Sequence, residues 1–229
     1  MIAMGGVQIK ICGVTSRAEL VLLDEARVDY AGLWFGISDS ARSLDRRAFR
    51  ALATCSTSHV RCVGVTTQRD PERIADFVSG VRRSALQLRG FVLPGAVRAL
   101  RSLVEEGVEI FQVLHVRGDV CLEAALLPQY MTPGGADAFL IDRFASRNRI
   151  GSSGEPVPRA ALQRVVDLVG PDRVLVAGGL DELRIREVRS RFAVRGVDVD
   201  SAARDGDVLG RLSPLRVRAL ARAAHEDVS

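Results

Sequence analysis

The chain has 229 residues, of which 47% are hydrophobic and 26% charged, a composition typical of a folded protein with a substantial core. Its net charge is +4, but arginines alternate with acidic residues and aromatic residues make up only 5%, so we predict no nucleic-acid partner. Neither a membrane-length apolar run nor a signal peptide is recognisable, so we predict a cytoplasmic protein without membrane contact.

Short apolar runs alternate with helical segments along the chain. The predicted strands are Gln8–Cys12, Tyr30–Phe35, Arg61–Val65, Ala85–Leu88, Ile110–Leu114, Ala138–Asp142, Arg173–Ala177 and Gly196–Val199. The predicted helices are Arg17–Ala26, Arg46–Thr54, Pro71–Val81, Gly95–Glu105, Asp119–Leu127, Arg159–Val169, Glu182–Arg191 and Pro214–Ala224. Asp70 and Ser213, each followed by proline, are the predicted N-caps of two of these helices.

The predicted strands are nearly continuous apolar runs, which indicates a parallel sheet covered on both faces. Eight strand–helix units predict an α/β fold, a single (β/α)₈ TIM barrel that forms one domain over residues 1–229. A doubly wound open sheet is the alternative. It is disfavoured because Cys12-Gly13-Val14-Thr15 stands where that fold carries G-x-G-x-x-G.

Chemically useful residues follow the predicted strands, at the end of the barrel where active sites of this fold form. They include Cys12, Asp142 and the pair Gly178-Gly179. Lys10, the only lysine, lies two residues before Cys12 and therefore on the same face of the strand. A neighbouring cation favours the reactive thiolate. The alternative is a purely structural role, with Cys12 as a small buried hydrophobe and Asp142 as a helix cap.

The four cysteines and three histidines show no spacing that is typical of a zinc site or a disulfide framework. We therefore predict no metal.

Several motifs together resemble one family, the phosphoribosylanthranilate isomerases of tryptophan biosynthesis. Lys10-Ile11-Cys12-Gly13-Val14-Thr15 is similar to that family's opening K-I-C-G-[IV]-T. The other similar segments, in chain order, are Ser40-Ala41-Arg42, Gln87-Leu88-Arg89-Gly90, Leu140-Ile141-Asp142, Val176-Ala177-Gly178-Gly179-Leu180 and Gly196-Val197-Asp198-Val199. Their order and spacing extend the resemblance over essentially the whole chain.

The resemblance implies an Amadori rearrangement of an aldose into a ketose by general acid and base catalysis, with no cofactor. Asp142 would be the acid that opens the furanose ring, and Cys12 the base that removes the proton from C2. Arg42 would bind the substrate carboxylate. The remaining substrate-binding residues implied are Lys10, Gln87, Arg89 and Asp198. The partner would be a small anionic molecule, a sugar phosphate that carries an aromatic amine.

The resemblance also implies a phosphate site formed by Gly178, Gly179, Ser201 and Ala202. Here the chain departs from the family's S-S-G, because Asp200 adds a negative charge and Ala202 replaces glycine. Arg204 would offset Asp200 or contact the anion itself, and the sequence favours neither. The segment Gly151–Glu155 would form a mobile lid or an ordinary surface loop.

Two alternatives to an authentic isomerase remain at this point. One is a diverged paralogue with an altered phosphate site that acts on another substrate in a specialised biosynthetic pathway. The other is a non-catalytic barrel that binds a ligand. The oligomeric state is not predicted.

Overall fold

The computed structural model describes residues 6–38, 40–81, 85–144, 155–206 and 210–226. The strands are β1 Gln8–Cys12, β2 Tyr30–Trp34, β3 Arg61–Thr66, β4 Ala85–Leu88, β5 Glu109–Arg117, β6 Val120–Cys121, β7 Ala138–Arg143, β8 Val174–Ala177 and β9 Gly196–Val199. The α-helices are α1 Arg17–Glu25, α2 Arg46–Ala53, α3 Pro71–Val78, α4 Pro94–Leu103, α5 Leu127–Tyr130, α6 Arg159–Val169, α7 Glu182–Arg191 and α8 Pro214–His225.

Eight parallel strands form a closed barrel. Starting at β4, the hydrogen-bonded order is β4-β3-β2-β1-β9-β8-β7-β5, and β4 also pairs with β5, which closes the ring. The predicted (β/α)₈ barrel is therefore confirmed and the doubly wound sheet is excluded. That all 229 residues belong to this one domain stays a prediction.

Apolar side chains pack in two separate layers, as expected for strands that are buried on both faces. The larger cluster lies between the strands and the surrounding helices. The smaller cluster fills the barrel interior and consists of Cys12, Tyr30, Trp34, Val63, Val65, Ala85, Phe111, Val113, Ala138, Leu140, Leu175 and Ala177. Because this interior is solid, a ligand can enter only at an end of the barrel.

One predicted helix is wrong. Instead of a helix over Asp119–Leu127, β5 extends to Arg117 and turns back through Gly118, whose φ is +57°, into the short antiparallel strand β6. A two-residue Gly-Asp connection is typical of a tight hairpin. The helix that follows, α5, has only four residues and begins at Leu127.

Of the two predicted helix caps, only one makes the expected side-chain hydrogen bonds. The Asp70 carboxylate accepts hydrogen bonds from the backbone N–H groups of Glu72 and Arg73, which confirms it as the cap of α3. Ser213 precedes α8, but its side chain makes no capping hydrogen bond within the described residues. Its predicted N-cap position is nevertheless confirmed, with Pro214 as the first residue of α8.

Charged networks lie at the N-terminal end of the barrel, opposite the predicted site. Arg195 donates to the Tyr30 hydroxyl and to Glu109, each at 2.8 Å, and its Nε donates to Gln8. Asp29 accepts hydrogen bonds from the Ile9 N–H and from the His225 ring, which attaches α8 to β1. None of the described helices is long and apolar enough to cross a membrane.

Candidate active site

A cavity of about 240 Å³ opens at the C-terminal end of the barrel strands. Of the eleven residues that the sequence analysis assigned to the site, the following nine line this cavity: Cys12, Arg42, Gln87, Arg89, Asp142, Gly178, Gly179, Asp198 and Ser201. The other two, Lys10 and Ala202, are not in its wall. The strand ends therefore converge as expected for this fold.

Lys10 lies beneath the cavity floor and is completely buried. Its ammonium donates to Cys12 Sγ at 3.1 Å and to Asp198 Oδ1 at 2.8 Å. Burial alone would lower the pKa of Lys10, but the charges of Asp198 and Cys12 outweigh burial and raise it. The raised pKa favours the cationic form of Lys10, which supports Cys12 from below and does not line the cavity.

Cys12 accepts a second hydrogen bond, from the Trp34 indole N–H at 3.0 Å. Gly32 faces the same sulfur, because a Cβ built there would lie 2.8 Å from Sγ and 3.1 Å from Lys10 Nζ. The sulfur is therefore fixed between two donors in a space that only glycine at position 32 leaves open.

Lys10 acts on Cys12 in the expected direction, because it lowers the pKa of the thiol, but it does not decide the net shift. Burial raises the pKa of the Cys12 thiol, and the Asp198 carboxylate raises it further. Lys10 lowers it, but not enough to reverse the effect of burial. The free protein therefore holds Cys12 as a thiol, with donors already placed for the thiolate.

Asp142 lies at the end of β7 and is 6% exposed. Burial raises the pKa of its carboxyl group, while the Arg89 guanidinium, 3.9 Å away, lowers it in part. The net direction favours the protonated form, which is the form that a general acid requires.

Arg89 and Gln87 bring two further polar groups from β4 and the loop after it. The Arg89 guanidinium lies 5.5 Å from the centre of the Trp34 ring. The side-chain oxygen of Gln87 is buried and accepts no hydrogen bond from the described residues. An acceptor in such a position is suited to a hydroxyl or amine hydrogen of a ligand, because a buried polar group without a partner is costly.

The sequence predicts that Arg42 binds a substrate carboxylate, but in this structure Arg42 is already paired with a carboxylate of the chain itself. Its two terminal nitrogens donate to the two oxygens of Asp200, at 2.5 and 2.9 Å, in a bidentate ion pair. Arg204 donates its Nε to the same carboxylate at 3.0 Å. Burial tends to raise the pKa of Asp200, but the two arginines outweigh it and lower the pKa. The first role proposed for Arg204, to offset Asp200, is the one observed.

The predicted phosphate residues are only partly assembled. Gly178 and Gly179 adopt φ values of +92° and +58° at the end of β8, and both line the cavity with Ser201. A Cβ at position 178 would lie 3.4 Å from Asp142 Oδ1. Ala202 packs against the apolar layer between strands and helices. Most of the candidate lid, 151–154, lies outside the described residues, and Glu155 pairs with Arg143 at 2.7 Å.

Sequence reasoning missed Gly32 and Trp34 altogether. A signal was present, because Trp34 is the chain's only tryptophan and lies near the end of the predicted strand Tyr30–Phe35, two residues after Gly32. Side chains two apart on a strand share a face, so both could have been assigned to the interior near Cys12. The pairing of Arg42 with Asp200 had no such signal, since these residues are 158 positions apart.

Comparisons with known proteins agree with this geometry. The curated proteins include N-(5'-phosphoribosyl)anthranilate isomerases from Rubrobacter xylanophilus, 28% identical over 95% of this chain and 98% of that protein, and from Chelativorans sp., 29% identical over 85% and 86%. Among solved structures, the phosphoribosyl anthranilate isomerase from Thermotoga maritima has a TM-score of 0.78 at 22% identity, over 95% of this chain and 98% of that one.

A second solved structure is a phosphoribosyl anthranilate isomerase in complex with reduced 1-(o-carboxyphenylamino)-1-deoxyribulose 5-phosphate. It has a TM-score of 0.74 at 21% identity and covers 95% of this chain and 98% of that chain. At such identities these structures establish the fold. The family described as N-(5'phosphoribosyl)anthranilate (PRA) isomerase matches residues 9–205, so that Cys12, all the residues that line the cavity and β9 fall within the match. The chain therefore belongs to the PRA isomerase family.

Proposed function

We propose that the protein converts N-(5'-phosphoribosyl)anthranilate into the corresponding 1-deoxyribulose 5-phosphate, an aldose-to-ketose isomerisation. The observation that carries this proposal is that Cys12 and Asp142, which end strands on different sides of the barrel, line the same cavity. Family membership supports it, whereas a diverged paralogue and a non-catalytic barrel are not favoured by the relatives found.

The reaction requires two proton transfers. Asp142 gives its proton to the furanose ring oxygen, the C1–O bond breaks, and the sugar opens to an iminium ion. Cys12 thiolate then removes the proton from C2, which gives an enolamine that tautomerises to the ketone. The raised pKa of Asp142 supports the first transfer. The Lys10 and Trp34 donors support the second, because both stabilise negative charge on sulfur.

The remaining assignments are proposals for binding. The sugar phosphate would lie against Gly178, Gly179 and Ser201, where positive-φ glycines allow backbone N–H groups to approach an anion. The Gln87 side-chain oxygen would accept a hydrogen bond from the sugar or the bridging amine. Arg89 would place a cation in the cavity wall beside Asp142. Asp198 would act mainly by holding Lys10 in place.

The test follows the loss of PRA fluorescence after the protein is added. We expect turnover in the wild type, and a loss of about 10²–10⁴-fold in kcat for both Cys12→Ser and Asp142→Asn, the range that a positioned acid or base contributes. The matched controls are Cys55→Ser and Asp205→Asn, which replace the same residue types outside the cavity and should retain activity. Wild-type protein without turnover, or substituted proteins as active as the controls, would refute the proposal.

A further inference from the structure

Asp200 occupies the position that a ligand carboxylate would take on Arg42. Its two oxygens accept from the two terminal nitrogens of Arg42, the side-by-side geometry with which arginine recognises a carboxylate. Both residues line the cavity. A ligand carboxylate that approaches the same two nitrogens therefore meets a negative charge that is already there.

Arg42 itself has little freedom to turn toward another partner. Its guanidinium carbon lies 4.4 Å from the centre of the Trp34 ring. Just after the neighbouring strand β1, a Cβ at Gly13 would lie only 2.4 Å from Arg42 Nη1, so the guanidinium lies directly against the backbone of Gly13. If Arg42 is to exchange partners, Asp200 is the group that moves.

Arg204 is a second binding partner for the Asp200 carboxylate. It is 4% exposed and is held by the backbone, because its Nη2 donates to the carbonyls of Cys12 and Gly13 at 2.8 and 2.9 Å. Its Nη1 donates to Gly210 O at 2.9 Å, and its Nε is directed at Asp200. A carboxylate that leaves Arg42 can thus keep its bond to a fixed cation.

We propose that Asp200 determines the carboxylate affinity of this site by acting as an internal competitor: it binds Arg42 in the free protein and is retained by Arg204 alone when a ligand carboxylate takes Arg42. This inference rests on the proposed function only for the choice of an aromatic carboxylate as ligand. It explains how the chain tolerates an acid in the cavity wall at position 200, since the charge is never left unpaired.

The effect of this competition on ligand affinity can be measured. If Asp200 occupies Arg42 in more than about nine tenths of free molecules, the observed dissociation constant is at least about ten times the intrinsic one. The experiment measures binding of anthranilate, by its fluorescence, to wild type, Asp200→Asn and Asp200→Ser. Aniline, which lacks the carboxylate, and inorganic phosphate are titrated in parallel. We expect both variants to bind anthranilate at least about tenfold more tightly, with aniline unchanged.

Two control variants make the result specific. Asp205→Asn changes the net charge equally but removes an exposed carboxylate whose partner is Arg216, and it should leave anthranilate affinity unchanged. In an Arg42→Gln background the Asp200 substitutions should bring no gain, because the competed group is absent. An unchanged or weaker affinity in the Asp200 variants, an equal gain in Asp205→Asn, a gain that survives Arg42→Gln, or a gain for phosphate only would each overturn the proposal.

A crystal structure of the unaltered protein with anthranilate provides a test that does not depend on folding of the variants. We expect the ligand carboxylate on Arg42 and the Asp200 carboxylate on Arg204. A ligand elsewhere in the cavity, with the Arg42–Asp200 pair intact, would overturn the inference. Absence of PRA turnover in the wild type would instead refute the proposed function, and would leave these binding measurements meaningful.

Discussion

Cys12 combines two features that oppose each other. Its sulfur is almost fully buried, which raises the pKa of the thiol, yet Lys10 and Trp34 both point donors at it. Asp142 is buried as well and its pKa is also raised. If the thiol pKa stays above that of the carboxyl, the reactive combination of thiolate and protonated acid is a minor form at every pH, and the pH profile reflects the pair rather than one residue.

The first residue-scale prediction concerns this titration. Because burial outweighs Lys10, Cys12 in the free protein should be alkylated by iodoacetamide at a rate that keeps rising beyond pH 9, the ordinary thiol value. Site-resolved mass spectrometry distinguishes Cys12 from the other cysteines, of which Cys62 and Cys121 have pKa values raised by burial to about 12 and about 11. A midpoint for Cys12 below 9 would show that Lys10 dominates.

Gly32 provides a second residue-scale prediction. A methyl group at this position would press on Cys12 Sγ and Lys10 Nζ, both of which are fixed by other contacts. We expect Gly32→Ala to lower kcat by about tenfold or more while KM changes little, because a displaced base slows proton transfer without removing binding groups. Gly95→Ala, whose added Cβ meets open space, is the control. Equal kcat values for the two variants would contradict the assigned role of Gly32.

At the scale of elements, α8 is attached to the barrel through Asp29. This carboxylate accepts from the Ile9 N–H at 2.8 Å and contacts the rings of His225 at 3.1 Å and His59 at 3.7 Å. Burial would raise the pKa of Asp29, but these partners outweigh burial and lower it. The stabilisation is therefore present above the ordinary pKa near 4 and is lost as the pH falls through the lower, folded value.

Asp29→Asn tests this attachment. At pH 7 we expect the free energy of unfolding to fall by about 1–3 kcal/mol, the range for a hydrogen bond to a charged group. The difference from wild type should shrink as urea titrations are moved from pH 5 to pH 3, because protonated Asp29 resembles asparagine. The exposed Asp205→Asn serves as reference. A difference that is constant with pH would mean that the charge of Asp29 does not stabilise the fold.

The elements also show what a sequence can predict. β1, β4, β9, α6 and α7 have the predicted bounds, since apolar runs and local helix signals depend on near neighbours. The helix predicted over Asp119–Leu127 failed because pairing with β5 outweighed helical preference there. In the site, the sequence predicted which residues lie at the strand ends, but it did not predict which side chains pair with each other. Lys10 and Asp198 are 188 residues apart, and only closure of the barrel brings them together.

At the scale of the whole molecule, some residues that stabilise the barrel interior are distinct from the residues that line the cavity. Phe111 lies in the interior, edge-on to Tyr30 at 5.6 Å, and does not line the cavity. Phe111→Ala should lower the free energy of unfolding by about 3–5 kcal/mol, the usual result of an aromatic cavity. Its KM for PRA, measured where the variant is folded, should be unchanged.

Leu183→Ala is the control for this substitution. Its side chain is 74% exposed, so the free energy of unfolding should change by no more than about 0.5 kcal/mol. Denaturant unfolding of both variants measures the two free energies of unfolding. If Phe111→Ala altered KM as strongly as stability, the interior packing and the cavity would have to be treated as one unit.

The burial of Lys10 has a practical consequence, because it is the chain's only lysine. A reagent that acylates amines finds a single side-chain target, and reaches it only when the catalytic end of β1 separates from its neighbours. The rate of acylation at this one atom therefore measures how often the end of β1 that carries Cys12 separates from the neighbouring strands, without any label having to be introduced.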